Sequence, residues 1–214
     1  SHPESVIYDE ENNVFYVSNI GENSEKDGFI SRIGVEGEIL EIKWITNLND
    51  PKGLLLHNER LWVSDVTDLV VMDINTAEII VRIPVEGAES LNDITIDEQG
   101  VIYISDLAKS SIFKRNETGK IVEWINSETL ENPNGLLAVE NDIFVAAWGD
   151  SKNGNLLRIN KNTKEIEQIT QSGLGNLDGI QRNEEGEFYV SDWDTGKIFR
   201  INKQGRTNVI LTSE

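Results

Sequence analysis

Residues 176–180 read NLDGI, and residues 188–192 read FYVSD. The first stretch sets a carboxylate, Asp178, in front of glycine and an apolar residue. The second is a short β-branched and aromatic run of the kind that fits a pleated, half-buried surface. Both recur. PESV begins at Pro3, PKGL at Pro51, LNDI at Leu91, PNGL at Pro133 and LDGI at Leu177. The intervals are 48, 40, 42 and 44 residues. Each anchor is followed by a second marker: FYVSN (15–19), LWVSD (61–65), IYISD (102–106), IFVAA (143–147) and FYVSD (188–192).

Two further short runs complete each unit, such as SIFKR and KIVEWI, with turn signals DEQG, NETG and NEEG between them. Four strands per repeat of this length is the signature of a propeller blade. No stretch sustains a capped helical period. The expected fold is therefore all-β. It is a single β-propeller domain over 1–214, with blades near 3–48, 49–88, 89–130, 131–174 and 175–214. A β-sandwich has no reason to repeat a unit this long five times.

The chain has 214 residues, with 38 Asp and Glu against 19 Lys and Arg and a formal net charge of −19. That balance disfavours nucleic acid and anionic membrane surfaces as partners and favours solubility. No apolar run approaches the ~20 residues that span a bilayer. Cysteine is absent, which removes disulfides, thiolate zinc sites and cysteine nucleophiles. The chain begins with Ser1, so a removed signal peptide stays open, and with it a periplasmic or a cytoplasmic place for a bacterial protein.

In a propeller the anchor opens the innermost strand of its blade. Glu4, Lys52, Asn92, Asn134 and Asp178 are therefore expected at one axial opening. The loops AAWGDSKNG (146–154) and SDWDTGK (191–197) are expected at its rim. Two carboxylates 5 Å apart repel by ~3 kcal/mol at an effective dielectric of 20, so Glu4 and Asp178 would need a proton, water or a cation between them. With the amide oxygens of Asn92 and Asn134 they make a hard oxygen set. Such a set suits Ca²⁺ and can suit Mg²⁺ or Mn²⁺. The plainer alternative is that Asx residues before glycine bond to turn amides. Lys52 supplies a positive charge for a substrate, or acts as counter-ion to Glu4 or Asp178. Trp148 and Trp193 in the rim loops wall an apolar ligand pocket or pack between blades. Trp44, Trp62 and Trp124 lie within strand runs and read as core. Ser18, Ser64, Ser105 and Ser191 repeat in every VSD or VSN marker without a histidine series, which speaks against nucleophiles. Asp65, Asp106 and Asp192 read as acceptors for turn amides.

The series PES, LND, PNGL and LDGI resembles the gluconolactonase/regucalcin-like propellers and, more distantly, the paraoxonases and strictosidine synthase-like proteins. The resemblance runs through the whole chain. It implies a divalent cation held by Glu4, Asn134 and Asp178, with Asn92 contacting metal or substrate. It also implies hydrolysis of a small cyclic ester, with Asp178 as general base and Asp93 as the second candidate. Two features depart from the family. Ser90 stands where sugar-lactone members usually carry Arg, and five blades are visible where the family usually has six. A missing sixth blade would leave an open sheet edge and favour self-association. The rival functional reading is a non-catalytic propeller that binds a protein or small ligand.

Overall fold

A computed structural model describes residues 2–22, 25–171 and 173–213. Twenty strands form five antiparallel sheets among them. The first sheet holds β1 (His2–Asp9), β2 (Val14–Ile20), β3 (Gly28–Gly34) and β4 (Ile39–Leu48). The second holds β5 (Pro51–His57), β6 (Arg60–Asp65), β7 (Asp68–Asp73) and β8 (Glu78–Pro84). The third holds β9 (Leu91–Ile96), β10 (Ile102–Asp106), β11 (Ser111–Arg115) and β12 (Ile121–Asn126). The fourth holds β13 (Pro133–Val139), β14 (Asp142–Ala147), β15 (Leu156–Asn160) and β16 (Ile166–Gln168). The fifth holds β17 (Leu177–Arg182), β18 (Phe188–Asp192), β19 (Lys197–Ile201) and β20 (Thr207–Thr212). In every sheet the strands lie side by side in chain order. The fold class is a β-propeller of five four-stranded blades, as the repeat predicts. The one helical element among the described residues is a 3₁₀ turn at Glu128–Leu130.

Local sequence sets these strands. In β18, Phe188, Val190 and Asp192 are buried while Tyr189 and Ser191 are half-buried, the period-2 alternation of a strand. The DEQG hairpin closes because Gly100 takes φ +78°, open to glycine at little cost, and donates to Asp97 O at 2.9 Å. Asp97 Oδ1 meanwhile accepts from the backbone N–H groups of Gln99 and Val101, both at 3.0 Å. The same Asx-x-x-Gly turn recurs at 116–119, 183–186 and 202–205.

The chain divides into two compact units, 1–94 and 95–214, with the boundary inside β9. In the first, the apolar core lies between neighbouring blades: Tyr16, Ile30 and Leu48 of one meet Leu61, Val63 and Met72 of the next. In the second, Tyr103, Ile112 and Trp124 pack with Leu136, Val145 and Leu157. Another cluster there joins Ala146 and Leu156 to Leu177, Val190 and Phe199. Fully burying one such aliphatic or Phe side chain contributes about 1.5–3 kcal/mol. A typical intramolecular hydrogen bond nets only about 0.5–1.5 kcal/mol. Interblade packing therefore dominates cohesion, and the hydrogen bonds set register. Trp124 is core as expected, Trp44 stacks on Tyr16 with ring centroids 4.8 Å apart, and Trp62 is half-buried.

Two buried tyrosines tie strands together. Tyr16 donates to Asp9 Oδ2 at 3.1 Å, and Tyr103 donates to Asp97 Oδ2 at 3.4 Å. Burial first, then the adjacent Asp9 carboxylate, pushes the Tyr16 phenol up to about 12. Burial and Asp97 push Tyr103 the same way. A phenol raised in the folded state stabilises the fold while protonated. That contribution is complete below the unfolded value of 10.0 and is lost as pH rises through about 12. The urea midpoint of the wild type should therefore fall across this alkaline window. In Tyr16→Phe it should fall less steeply. Equal slopes for the two proteins would contradict the assignment.

Candidate functional site

The anchors sit where strand pairing slips. The register between the first and second strands shifts between Pro3 and Val6, Pro51 and Leu54, Pro133 and Gly135, and Leu177 and Ile180. Each interval contains the anchor residue: Glu4, Lys52, Asn134 or Asp178. A bulge of this kind leaves a residue out of the ladder and re-aims its side chain. It also leaves backbone groups in need of partners, and the repeated serine supplies them. Ser18 Oγ accepts from Ser5 N–H at 3.0 Å, and Ser191 Oγ accepts from Gly179 N–H at 2.8 Å. Ser64 Oγ donates to Asn92 O, and Ser105 Oγ donates to Asn134 O at 2.6 Å. Ser18 and Ser191 thus hold the bulged backbone of their own blade, while Ser64 and Ser105 hold the first strand of the next, which accounts for their recurrence without any nucleophilic role. The fourth blade has Ala146 and Ala147 in these marker positions.

Of the aspartates that follow, Asp65 and Asp192 hold the loop entering their blade and Asp106 holds the turn after its own strand. Asp65 is 1 % exposed and accepts from Asn49 N–H at 2.9 Å and Asp50 N–H at 2.8 Å; Arg82 Nη1 adds an ion pair at 3.0 Å. Asp192 accepts from Asn176 N–H at 2.9 Å, directly before β17. Asp106 accepts from Lys109 N–H at 3.1 Å.

In unit 1, Glu4 is half-buried on β1. Lys52 is half-buried on β5, and its Nζ donates to Ser90 Oγ at 3.4 Å. The two positions that sequence analysis singled out for charge and for sugar contact thus meet each other. Asn92 is buried, and Asp93 beside it accepts from Ile94 N–H at 2.8 Å. The β5 and β9 backbones touch through Gly53, where an added Cβ would lie 2.5 Å from Asn92 O.

In unit 2 two anchors meet directly. Asn134 is 3 % exposed, and its Nδ2 donates to Asp178 Oδ1 at 2.8 Å. The bond joins residues 44 positions apart. Gly135 permits it, because a Cβ there would collide with Asp178 O and press on Ile180. The bond also fixes the amide orientation: Nδ2 faces Asp178 and Oδ1 is the remaining oxygen.

The rim tryptophans are held by the same loops. Trp148 N–H donates to Asn132 O at 2.9 Å, and Asn176 Nδ2 donates to Trp148 O at 3.1 Å. Trp193 N–H donates to Asn176 O at 3.0 Å. The two indoles pair with centroids 5.4 Å apart and planes inclined by 49°. Lys152 forms an ion pair with Asp194 from the two rim loops. Asn132 and Asn176 are functional supports that residue-by-residue reading passed over. Their signal was present in NPNG and NLDG, which both place asparagine two residues before the anchor.

A carboxylate beside an amide oxygen is a donor pair that suits a hard cation. Among the described residues no group of three or more His, Asp or Glu side chains is placed to hold a metal, so amide and carbonyl oxygens would have to complete any shell.

The family model "SMP-30/Gluconolactonase/LRE-like region" matches residues 2–212. No curated protein matches the chain. Among solved structures, a selenomethionine-substituted virginiamycin B lyase from Staphylococcus aureus superposes with a TM-score of 0.71 at 16 % identity, covering 98 % of this chain and 69 % of that one. A streptogramin B lyase gives 0.68 at 14 %, covering 100 % and 84 %. A chain of a nidogen/laminin complex gives 0.74 at 18 %, covering 98 % and 79 %. At these identities the likeness is one of fold.

Gly135→Ala should push β13 off β17. The expected cost is about 1–3 kcal/mol, as for overpacking elsewhere. A thermal melt should shift down, and the Asn134 side-chain amide resonances should move. An unchanged melting temperature with unmoved resonances would contradict the close approach.

Proposed function

Because the chain belongs to the SMP-30/gluconolactonase/LRE-like family, we propose that it is a metal-dependent lactonase or esterase. Its substrate is a small cyclic ester, and the Asn134–Asp178 pair stands at the reacting centre. The observation that supports this is the 2.8 Å hydrogen bond between two anchors from different blades. The cation, of the Ca²⁺ class with Mg²⁺ and Mn²⁺ sharing the same ligand preference, would be held by the Asp178 carboxylate and the Asn134 amide oxygen. Glu4 and Asn92 hold the same position in the sequence repeat and enter the donor set through the sequence alone. When bound, such an ion supplies Lewis-acid polarisation of an ester carbonyl.

The chain's own residues supply the proton traffic. Asp178 accepts a proton from the attacking water as its oxygen adds to the carbonyl carbon, and returns it to the ring oxygen as the C–O bond breaks. Asn134 orients that carboxylate by donating to Oδ1. Asp93 is the second candidate base, with Oδ1 already engaged by Ile94 N–H. Lys52 and Asn92 contribute substrate contacts in this reading. The exposed Trp193 favours a second reading, a non-catalytic propeller that binds a small ligand at the rim.

A lactone panel tests the proposal with wild type, Asp178→Ala and Asn134→Ala, each with EDTA and after calcium is restored. Asp178→Ala should lower kcat/KM by ~10²–10⁴, the range for loss of a general base. EDTA should abolish wild-type turnover and calcium should return it. A wild type that never exceeds background across the panel overturns the enzyme reading. Calorimetric calcium titration reports the cation site separately.

A further inference from the structure

Trp193 is 66 % exposed. The other large side chains left open to solvent are mostly aliphatic, such as Ile39, Leu40 and Ile42 of β4. Most other aromatic rings are folded into the packing, for example Tyr103 on Trp124 and Phe144 on Phe188. An indole held in solvent against a second indole is therefore an exception in this protein. The main chain of both tryptophans is tied down by hydrogen bonds to Asn132 and Asn176. The same two asparagines stand two residues before Asn134 and Asp178. The loops that carry the two indoles are thereby hydrogen-bonded to the residues that lead into the anchor strands β13 and β17.

The indoles are too close for a ring to enter between them, and it is Trp193 that offers an open face while Trp148 is half-buried. Several polar groups of these two loops are already engaged. Lys152 pairs with Asp194, Asn176 spans the two loops, and Asp192 holds Asn176 N–H and Thr195 Oγ1. A carbohydrate needs donors and acceptors flanking an aromatic face, whereas a flat apolar ring needs only the face. We propose that the Trp148–Trp193 surface is a specificity subsite that stacks the aromatic ring of an aryl-bearing cyclic ester. This rests on the lactonase reading for its ester, but its binding test does not need turnover.

The probes are phthalide, γ-butyrolactone and glucono-δ-lactone. The first two share a five-membered lactone ring, and phthalide adds a fused benzene. Binding is read from indole N–H resonances on titration, assigned with Trp193→Ala and Trp148→Ala. Phthalide should move the Trp193 resonance and bind about tenfold more tightly than γ-butyrolactone, the factor for one well-made stacking contact. Trp193→Ala should lose that advantage and Trp193→Phe should keep most of it. The exposed position of Trp193 makes these variants gentle on the fold. If lactones are hydrolysed but phthalide binds within twofold of γ-butyrolactone, or Trp193→Ala leaves its binding unchanged, the aryl subsite is overturned while the enzyme reading stands. Tighter binding of glucono-δ-lactone than phthalide overturns it as well. If no lactone turns over and phthalide still binds through Trp193, the subsite stands and the enzyme reading falls.

Discussion

A strand that slips by one residue against its partner must satisfy the backbone groups that the slip releases. Here the slip falls at the anchor in four first strands, and much of the surrounding sequence answers it. Serine hydroxyls of the second strand take the displaced N–H and C=O groups. Buried aspartates one residue later grip the incoming loop. Glycine after the anchor lets the neighbouring first strand approach. Removing any of these would disturb where an anchor side chain points before it disturbed the apolar packing, because register and cohesion are carried by different interactions.

This division of labour bears on chemistry. Asn134 is buried, backed by the Ser105 hydroxyl on its carbonyl, and committed through its amide to Asp178. A group so constrained loses little freedom when it acts, which is the condition for orienting a carboxylate toward a reacting atom. Structures of similar fold at under 20 % identity include two lyases and a chain of a nidogen/laminin complex. Fold alone therefore cannot choose among activities, and the anchor chemistry must.

The fold was legible because period and alternation are properties of the chain itself. Five markers at blade spacing, each a short β-branched run, leave few architectures. The Asn134 and Asp178 positions were legible for the same reason. What could not be read was direction. A bulge changes which face a side chain takes, and its position is set by pairing with the next strand rather than by the strand's own pattern. Lys52 illustrates this: its charge allows a substrate contact or a carboxylate partner, and the bond its ammonium makes to the Ser90 hydroxyl is not written in the anchor motif. The pairing of Trp148 with Trp193 depends on two loops from different blades, and a linear motif carries no record of that meeting. The serine series was legible as a repeat but not as a cap for displaced amides, since the need arises only once the strands have slipped.

Within each four-stranded sheet, every strand hydrogen-bonds only to its neighbours in the chain. Loop-closure entropy is thus incurred a few residues at a time, through turns such as DEQG and NEEG. A β protein usually folds slowly because its pairings join distant segments. This topology leaves distant segments to side-chain packing and a few hydrogen bonds between blades, so hairpins can zip locally and the slow search is left to the docking of preformed meanders.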